Sequence, residues 1–144
     1  MGITGSVGKT STKDIVASVL SQKYKVLKTQ GNYNNEIGLP LTILSLKDED
    51  VMVLEMGMSA FGEMRLLTNI AKPDIVAITN IGTSHIGILG SRENILKAKL
   101  EILEGLKKDG KLVINNDNDL LHKWYNEERL INLSLIHISE PTRP

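Results

Sequence analysis

VMVLEMG, Val51–Gly57, holds four consecutive apolar residues, then a carboxylate, a methionine and a glycine. So short a run suits a strand better than a helix, and the valines at its first and third positions favour β structure. A strand with one face in water would alternate apolar and polar residues. An unbroken apolar run is instead expected where helices cover both faces of a parallel sheet. Asp74–Asn80, DIVAITN, repeats the pattern with IVAI. Tyr24–Thr29 (YKVLKT) and Lys111–Asn115 (KLVIN) supply two more strand candidates, and Gly, Pro, Asp or Asn punctuates all four.

Helical patterns fill the intervals, near Lys9–Gln22, Leu39–Leu46, Glu63–Ala71, Arg92–Leu106 and Leu120–Glu128. Strand and helix in alternation predict an α/β fold: a doubly wound, mostly parallel sheet with helices on both faces, laid out like a P-loop NTPase. The ends fit this less well. Met1-Gly2-Ile3 leaves little room for the strand that should feed the first loop, and NLSLIHISEPTRP at 132–144 resumes no helical period. The expected organisation is one domain over 1–130, incomplete at both ends, and a tail over 131–144 that reads as an edge strand or as sequence foreign to the domain.

Composition narrows the partners. The 144 residues are enough for one domain with a core, and 17 basic side chains balance 17 acidic ones. That balance gives no electrostatic reason to expect nucleic acid or an anionic membrane as partner. The chain has no cysteine, which removes disulfides, thiolate metal sites and thiol nucleophiles. No apolar run reaches membrane-spanning length and no signal-peptide pattern opens the chain. The expectation is a cytoplasmic monomer whose binding comes from local sites.

ITGSVGKTST, Ile3–Thr12, is the strongest single motif. A glycine-bearing loop that ends in Gly-Lys-Thr and opens a helix aims backbone N–H groups at an anion, its lysine at the β- and γ-phosphates and its threonine hydroxyl at Mg²⁺. Those roles fall to Gly8, Lys9 and Thr10, with Gly5, Ser6 and Ser11 as further nucleotide contacts. The strict pattern wants glycine where Ile3 stands, so the motif is a relaxed one. The competing reading is a tight turn with an exposed lysine.

Three further side chains fall where ligands of open α/β sheets gather, outside the carboxyl ends of strands. Glu55 ends VMVLE and suits Mg²⁺, or is a strand-end glutamate in solvent. His85 follows ITNIGTS and suits a metal or a phosphate, or is structural. Lys99 lies within NILKAKLEIL, Asn94–Leu103, where Ile95, Ala98, Ile102, Leu103 and Leu106 form one apolar stripe at about 100° per residue. Lys97, Glu101 and Glu104 point to the opposite, solvated face, whereas Lys99 points inward. Its methylene stem can lie on apolar surface with the ammonium in water. Burial instead depresses the amine's pKa. A neutral amine can contact phosphate directly or react with CO₂ to give a carbamate, an oxygen ligand for Mg²⁺.

TGSVGKTST, GNYNNEIGLPLTIL, LEMGMSAFGEM, ITNIGTSHIGILGSRENILKAKLEIL and VINNDND, in this order, resemble the central ATP-binding domain of the Mur ligases of bacterial peptidoglycan synthesis. Within that family the resemblance is to the type that adds D-alanyl-D-alanine to a UDP-N-acetylmuramoyl tripeptide, and it covers roughly Gly2 to Glu128. It implies ATP-dependent amide-bond formation through an acyl phosphate. By the same resemblance, Lys9 stabilises the transferring phosphoryl group and Thr10 and Glu55 hold a first Mg²⁺. His85 and a carbamylated Lys99 serve a second, Asn35 sits near the γ-phosphate and the acyl end of the substrate, and Asn115 and Asp117 lie beside the nucleotide. Family members carry further domains that grip the UDP-sugar and the incoming amine, so the isolated chain is expected to have little or no ligase activity. Rival readings are a folylpolyglutamate synthase-like ligase of the same superfamily and a non-catalytic nucleotide-binding remnant. A GTPase or kinase is disfavoured, because no N-K-x-D signature occurs and the Lys99 helix has no duty there.

Overall fold

The computed structural model describes residues 1–128 and 134–138. The apolar runs become β1 (Gly2–Thr4), β2 (Val26–Lys28), β3 (Val51–Glu55), β4 (Ile75–Ile78) and β5 (Lys111–Asn115), and β6 (Ser134–Ile138) joins them from the tail. All pairings are parallel and the order is β2-β3-β1-β4-β5-β6. Three residues therefore suffice for the strand that feeds the first loop. Gly2 pairs with Leu54 on one side and Val76 on the other, which places β1 in the middle of the sheet. Five residues of the tail thus form an edge strand on β5; the remainder of 129–144 lies outside the described residues.

Side chains alternate across the sheet and sort into two cores. Leu54, Met56, Val76, Ile78, Leu112 and Ile114 share the larger one with residues of α2 (Gly38–Leu44), α3 (Glu63–Ala71), α5 (Arg92–Leu100) and α6 (Asp119–Glu128). Ile3, Val53 and Ala77 face the opposite way, onto Ala17 of α1 (Lys9–Leu20). Helices do cover both faces, but unequally. A short α4, Ile86–Leu89, stands between β4 and α5, where the sequence signalled only a loop. Among the described residues, no helix is long and apolar enough to cross a membrane.

The Arg92–Leu106 helix is two elements. The α-helix stops at Leu100, and Glu101–Gly105 tightens into a 3₁₀ turn. Three residues per turn instead of 3.6 rotates the faces, and Glu101, expected in solvent, is only 8 % exposed. Its carboxylate accepts hydrogen bonds from the backbone N–H of Gly62 (3.0 and 2.9 Å) and Arg65 (3.2 Å) at the start of α3. Free N–H groups at a helix N-terminus are a natural partner for a buried carboxylate.

Candidate active site

A parallel sheet sends every strand's C-terminal end to one edge, so the loops leaving β1, β2, β3 and β4 open together there. The loop after β1 is tightly built. Gly5 has φ +152°, and a Cβ on it would fall 1.9 Å from Thr79 Oγ1, so no other residue fits. Gly8 caps α1 in the left-handed conformation with no side-chain cap bond, and no acidic residue stands in the first helical turn. The helix N-terminus therefore keeps its positive end available to an anion. Lys9 Nζ donates to the Gly5 carbonyl at 3.0 Å, folded over its own loop. Ser6 is buried, and Ser11 is exposed in the first turn.

Thr10 Oγ1 donates to Glu55 Oε2 at 2.9 Å, and Asn34 Nδ2 donates to the other carboxylate oxygen at 2.9 Å. The Glu55 backbone N–H is held by Thr29 Oγ1 at 2.9 Å. Glu55 is thus buried and fixed from the first turn of α1 and the loop after β2 rather than turned to solvent. Asn35 Oδ1 accepts from the N–H groups of Ile37 (3.2 Å) and Gly38 (2.8 Å), which fastens the start of α2. Asn34, not singled out in the sequence, is the asparagine that reaches the carboxylate.

The loop after β4 is zipped to the phosphate loop. The Ser6 and Val7 N–H groups both donate to Asn80 Oδ1 at 3.0 Å, Thr79 Oγ1 donates to the Val7 carbonyl at 2.6 Å, and the Gly82 N–H donates to Ser6 Oγ at 2.9 Å. His85, at the exit of this zipper, caps α4 with φ +66°, a conformation few non-glycine residues adopt and one that recurs at functional sites. Asn115 ends β5, and its Oδ1 accepts from the Asp117 N–H at 3.0 Å, further along the same sheet edge.

Lys9, Asn34, Asn35, His85 and Lys99 line one cleft of about 460 Å³, with Ser59 and Glu63 on its wall. Lys99 is 2 % exposed yet lines the cleft. Desolvation by burial, then the nearby charge of Lys9, pulls its pKa down to about 8. Among the described residues, no three His, Cys, Asp or Glu side chains gather into a metal cage. The Thr10 hydroxyl and Glu55 carboxylate are nonetheless hard oxygen donors already in contact. That fits Mg²⁺, which takes one or two protein ligands and completes its shell with water and substrate phosphates.

The family profile described as Mur ligase middle domain matches residues 3–143. The chain belongs to the Mur ligase family. This Mur ligase domain is 56 % identical over 126 residues to the UDP-N-acetylmuramoyl-tripeptide–D-alanyl-D-alanine ligase of Bacillus subtilis, an alignment that covers 87 % of the chain and 28 % of that ligase. It also resembles the crystal structure of the MurF ligase of Thermotoga maritima in complex with ADP, at a TM-score of 0.87 and 38 % identity over 96 % of the chain and 32 % of that structure. An FPGS variant of L. casei shares the fold at a TM-score of 0.67, with 16 % identity over 96 % of the chain and 44 % of that structure. The Mur domain described here therefore spans less than a third of the length of the ligases it matches best among these.

Proposed function

We propose that this domain is the ATP-binding core of a cytoplasmic ligase that joins D-alanyl-D-alanine to a UDP-N-acetylmuramoyl tripeptide in peptidoglycan precursor synthesis. The observation that carries the reading is the convergence of Lys9, Asn34, His85 and Lys99 on one cleft beside the Thr10–Glu55 pair. The 56 % identity to a ligase of that name favours this acid and amine over the folate-type alternative, for which the likeness is one of fold alone.

In this reading a carboxylate oxygen of the tripeptide attacks the γ-phosphorus of ATP, the bond to ADP breaks, and an acyl phosphate forms. The amine of D-alanyl-D-alanine then attacks the acyl carbon, a C–N bond replaces the C–O bond to phosphate, and the amine loses a proton. The N-terminus of α1 and the Gly5–Gly8 loop bind the phosphates. Lys9 exchanges the Gly5 carbonyl for the transferring phosphoryl group and neutralises its charge. Thr10 and Glu55 would hold Mg²⁺, which would supply polarisation of the phosphoryl oxygens. Asn34 keeps Glu55 oriented, and Asn35 lies where the acyl end of the acid would enter.

Lys99 acts as a carbamate. The neutral amine attacks CO₂, the N–C bond forms, one C=O electron pair moves to oxygen and the nitrogen releases a proton. The anion that results replaces a buried cation with an oxygen donor, and with His85 it would hold a second metal ion.

The test is coupled ADP release by the complete ligase containing this domain. Tripeptide plus D-alanyl-D-alanine should give turnover, and a folate acid plus glutamate should give none. The reverse preference sinks the assignment of substrate. ATP binding without turnover on either pair leaves the non-catalytic reading standing.

A further inference from the structure

Thr4 ends β1 fully buried, and its hydroxyl has no hydrogen-bond partner. It is the one such side-chain atom found among the described residues. Burying a hydroxyl without a partner opposes folding, and valine would fill nearly the same volume without that cost. An orphan of this kind in an otherwise satisfied structure points to a missing acceptor.

Its surroundings say which acceptor. Ile3 packs onto Ala17 on the α1 side, so Gly2 and Thr4 share the opposite face of β1. A Cβ on Gly2 would meet Ile102 Cδ1 at 3.7 Å, which sets that face of β1 against the segment carrying Lys99. Helix α5 connects two strands parallel to β1, so it runs back along the sheet and its earlier residues lie nearer the strands' C-terminal edge. Stepping from Ile102 to Lys99 moves about 4.5 Å toward that edge, and stepping from Gly2 to Thr4 moves about 6.6 Å the same way. Thr4 and Lys99, both buried, thus come to about the same level, and Lys99 lines the cleft.

We propose that Thr4 is a positioning residue for the carbamate at Lys99, its hydroxyl donating a hydrogen bond to one carbamate oxygen and leaving the other for the cleft. This rests on the reading of Lys99 given above. A threonine at this place then does two things that valine cannot: it lowers the free energy of the buried anion, and it fixes the plane of the N–CO₂⁻ group.

The experiment is ¹³C NMR of the full chain equilibrated with ¹³C-bicarbonate, following a carbamate carbon that Lys99→Met removes. Thr4→Val should raise the bicarbonate concentration for half-occupancy by about ten- to a hundredfold, the size of one hydrogen bond to a charged acceptor. Thr4→Ser should restore it to within about threefold, since it keeps the hydroxyl. In CO₂-free buffer Thr4→Val should melt no lower than the wild type, which separates positioning from a fold defect; Thr4→Ala repeats the NMR test if valine perturbs the fold. Equal half-occupancy in wild type and Thr4→Val overturns the role of Thr4 alone. A wild-type spectrum with no signal beyond that of Lys99→Met overturns the carbamate reading beneath it.

Discussion

Lys99 sets two demands against each other. Its side chain is 2 % exposed in a layer of Ile95, Ala98 and Ile102, where an apolar residue of similar length would stabilise the fold by about 1.5–3 kcal/mol. Burial instead holds the amine's pKa near 8 against an ordinary 10.5. Between those two values the unfolded chain binds more protons than the folded one, so stability rises with pH across that window and the cost is fully present below it. The shift corresponds to roughly 3 kcal/mol at pH 7. Lys99→Met should therefore be more stable than the wild type by about that much at pH 7 in CO₂-free buffer, with most of the gap closed by about pH 10.5. Urea unfolding at the two pH values reads it. A Lys99→Met chain no more stable at pH 7 would mean that the amine reaches water. The inward lysine was legible in the sequence because a helical period exposes one misplaced charge. Gly5, Glu55 and His85 were legible because strand ends and glycine turns mark them. Asn34, Asn80 and Thr4 were not, since each acts through partners or neighbours far along the chain, and spacing alone cannot report a bond such as Asn34 to Glu55 or Ser6 to Asn80.

Elements position these groups through contacts between helix ends. The Glu101 carboxylate takes the N–H groups of Gly62 and Arg65, which ties the first turn of α3, and with it the cleft wall at Ser59 and Glu63, to the segment that follows Lys99. Removing it leaves those donors without their acceptor in a partly buried place. Glu101→Ala should cost about 1–2 kcal/mol, the range of a lost helix cap. Amide exchange at Gly62 and Arg65 should accelerate while exchange in β4 follows only the global change. Unchanged exchange at both amides would show that water replaces the carboxylate without penalty. Continuous apolar runs were enough to place β3 and β4 within a parallel sheet. They could not foresee the 3₁₀ turn at Glu101–Gly105, because the tightening answers the open end of α3, which lies 30 to 40 residues away in sequence. Nor could they foresee α4, four residues long and too short for a period to register.

Across the whole molecule, the cleft draws on the start of α1, the loop after β2, the loop after β3, the start of α3, the loop after β4 and helix α5. In the unfolded chain these segments are separated in space, so a ligand that touches all of them binds the native state alone and stabilises it globally. At a free nucleotide concentration about a hundredfold above its Kd the gain is roughly 2.7 kcal/mol, equivalent to a rise in Tm of about 5–10 °C for a chain of this size. MgATP should produce that rise in this 144-residue chain, and EDTA should remove most of it, because the phosphates would then lose the bridge to Thr10 and Glu55. Ligation is a separate matter, since the domain covers only 28 % of the B. subtilis ligase. The expected result is a magnesium-dependent thermal shift with no substrate-dependent ADP release. A shift of equal size with ATP in EDTA would detach the Thr10–Glu55 pair from metal binding, and robust turnover by this chain alone would mean that the cleft also holds the acid and the amine.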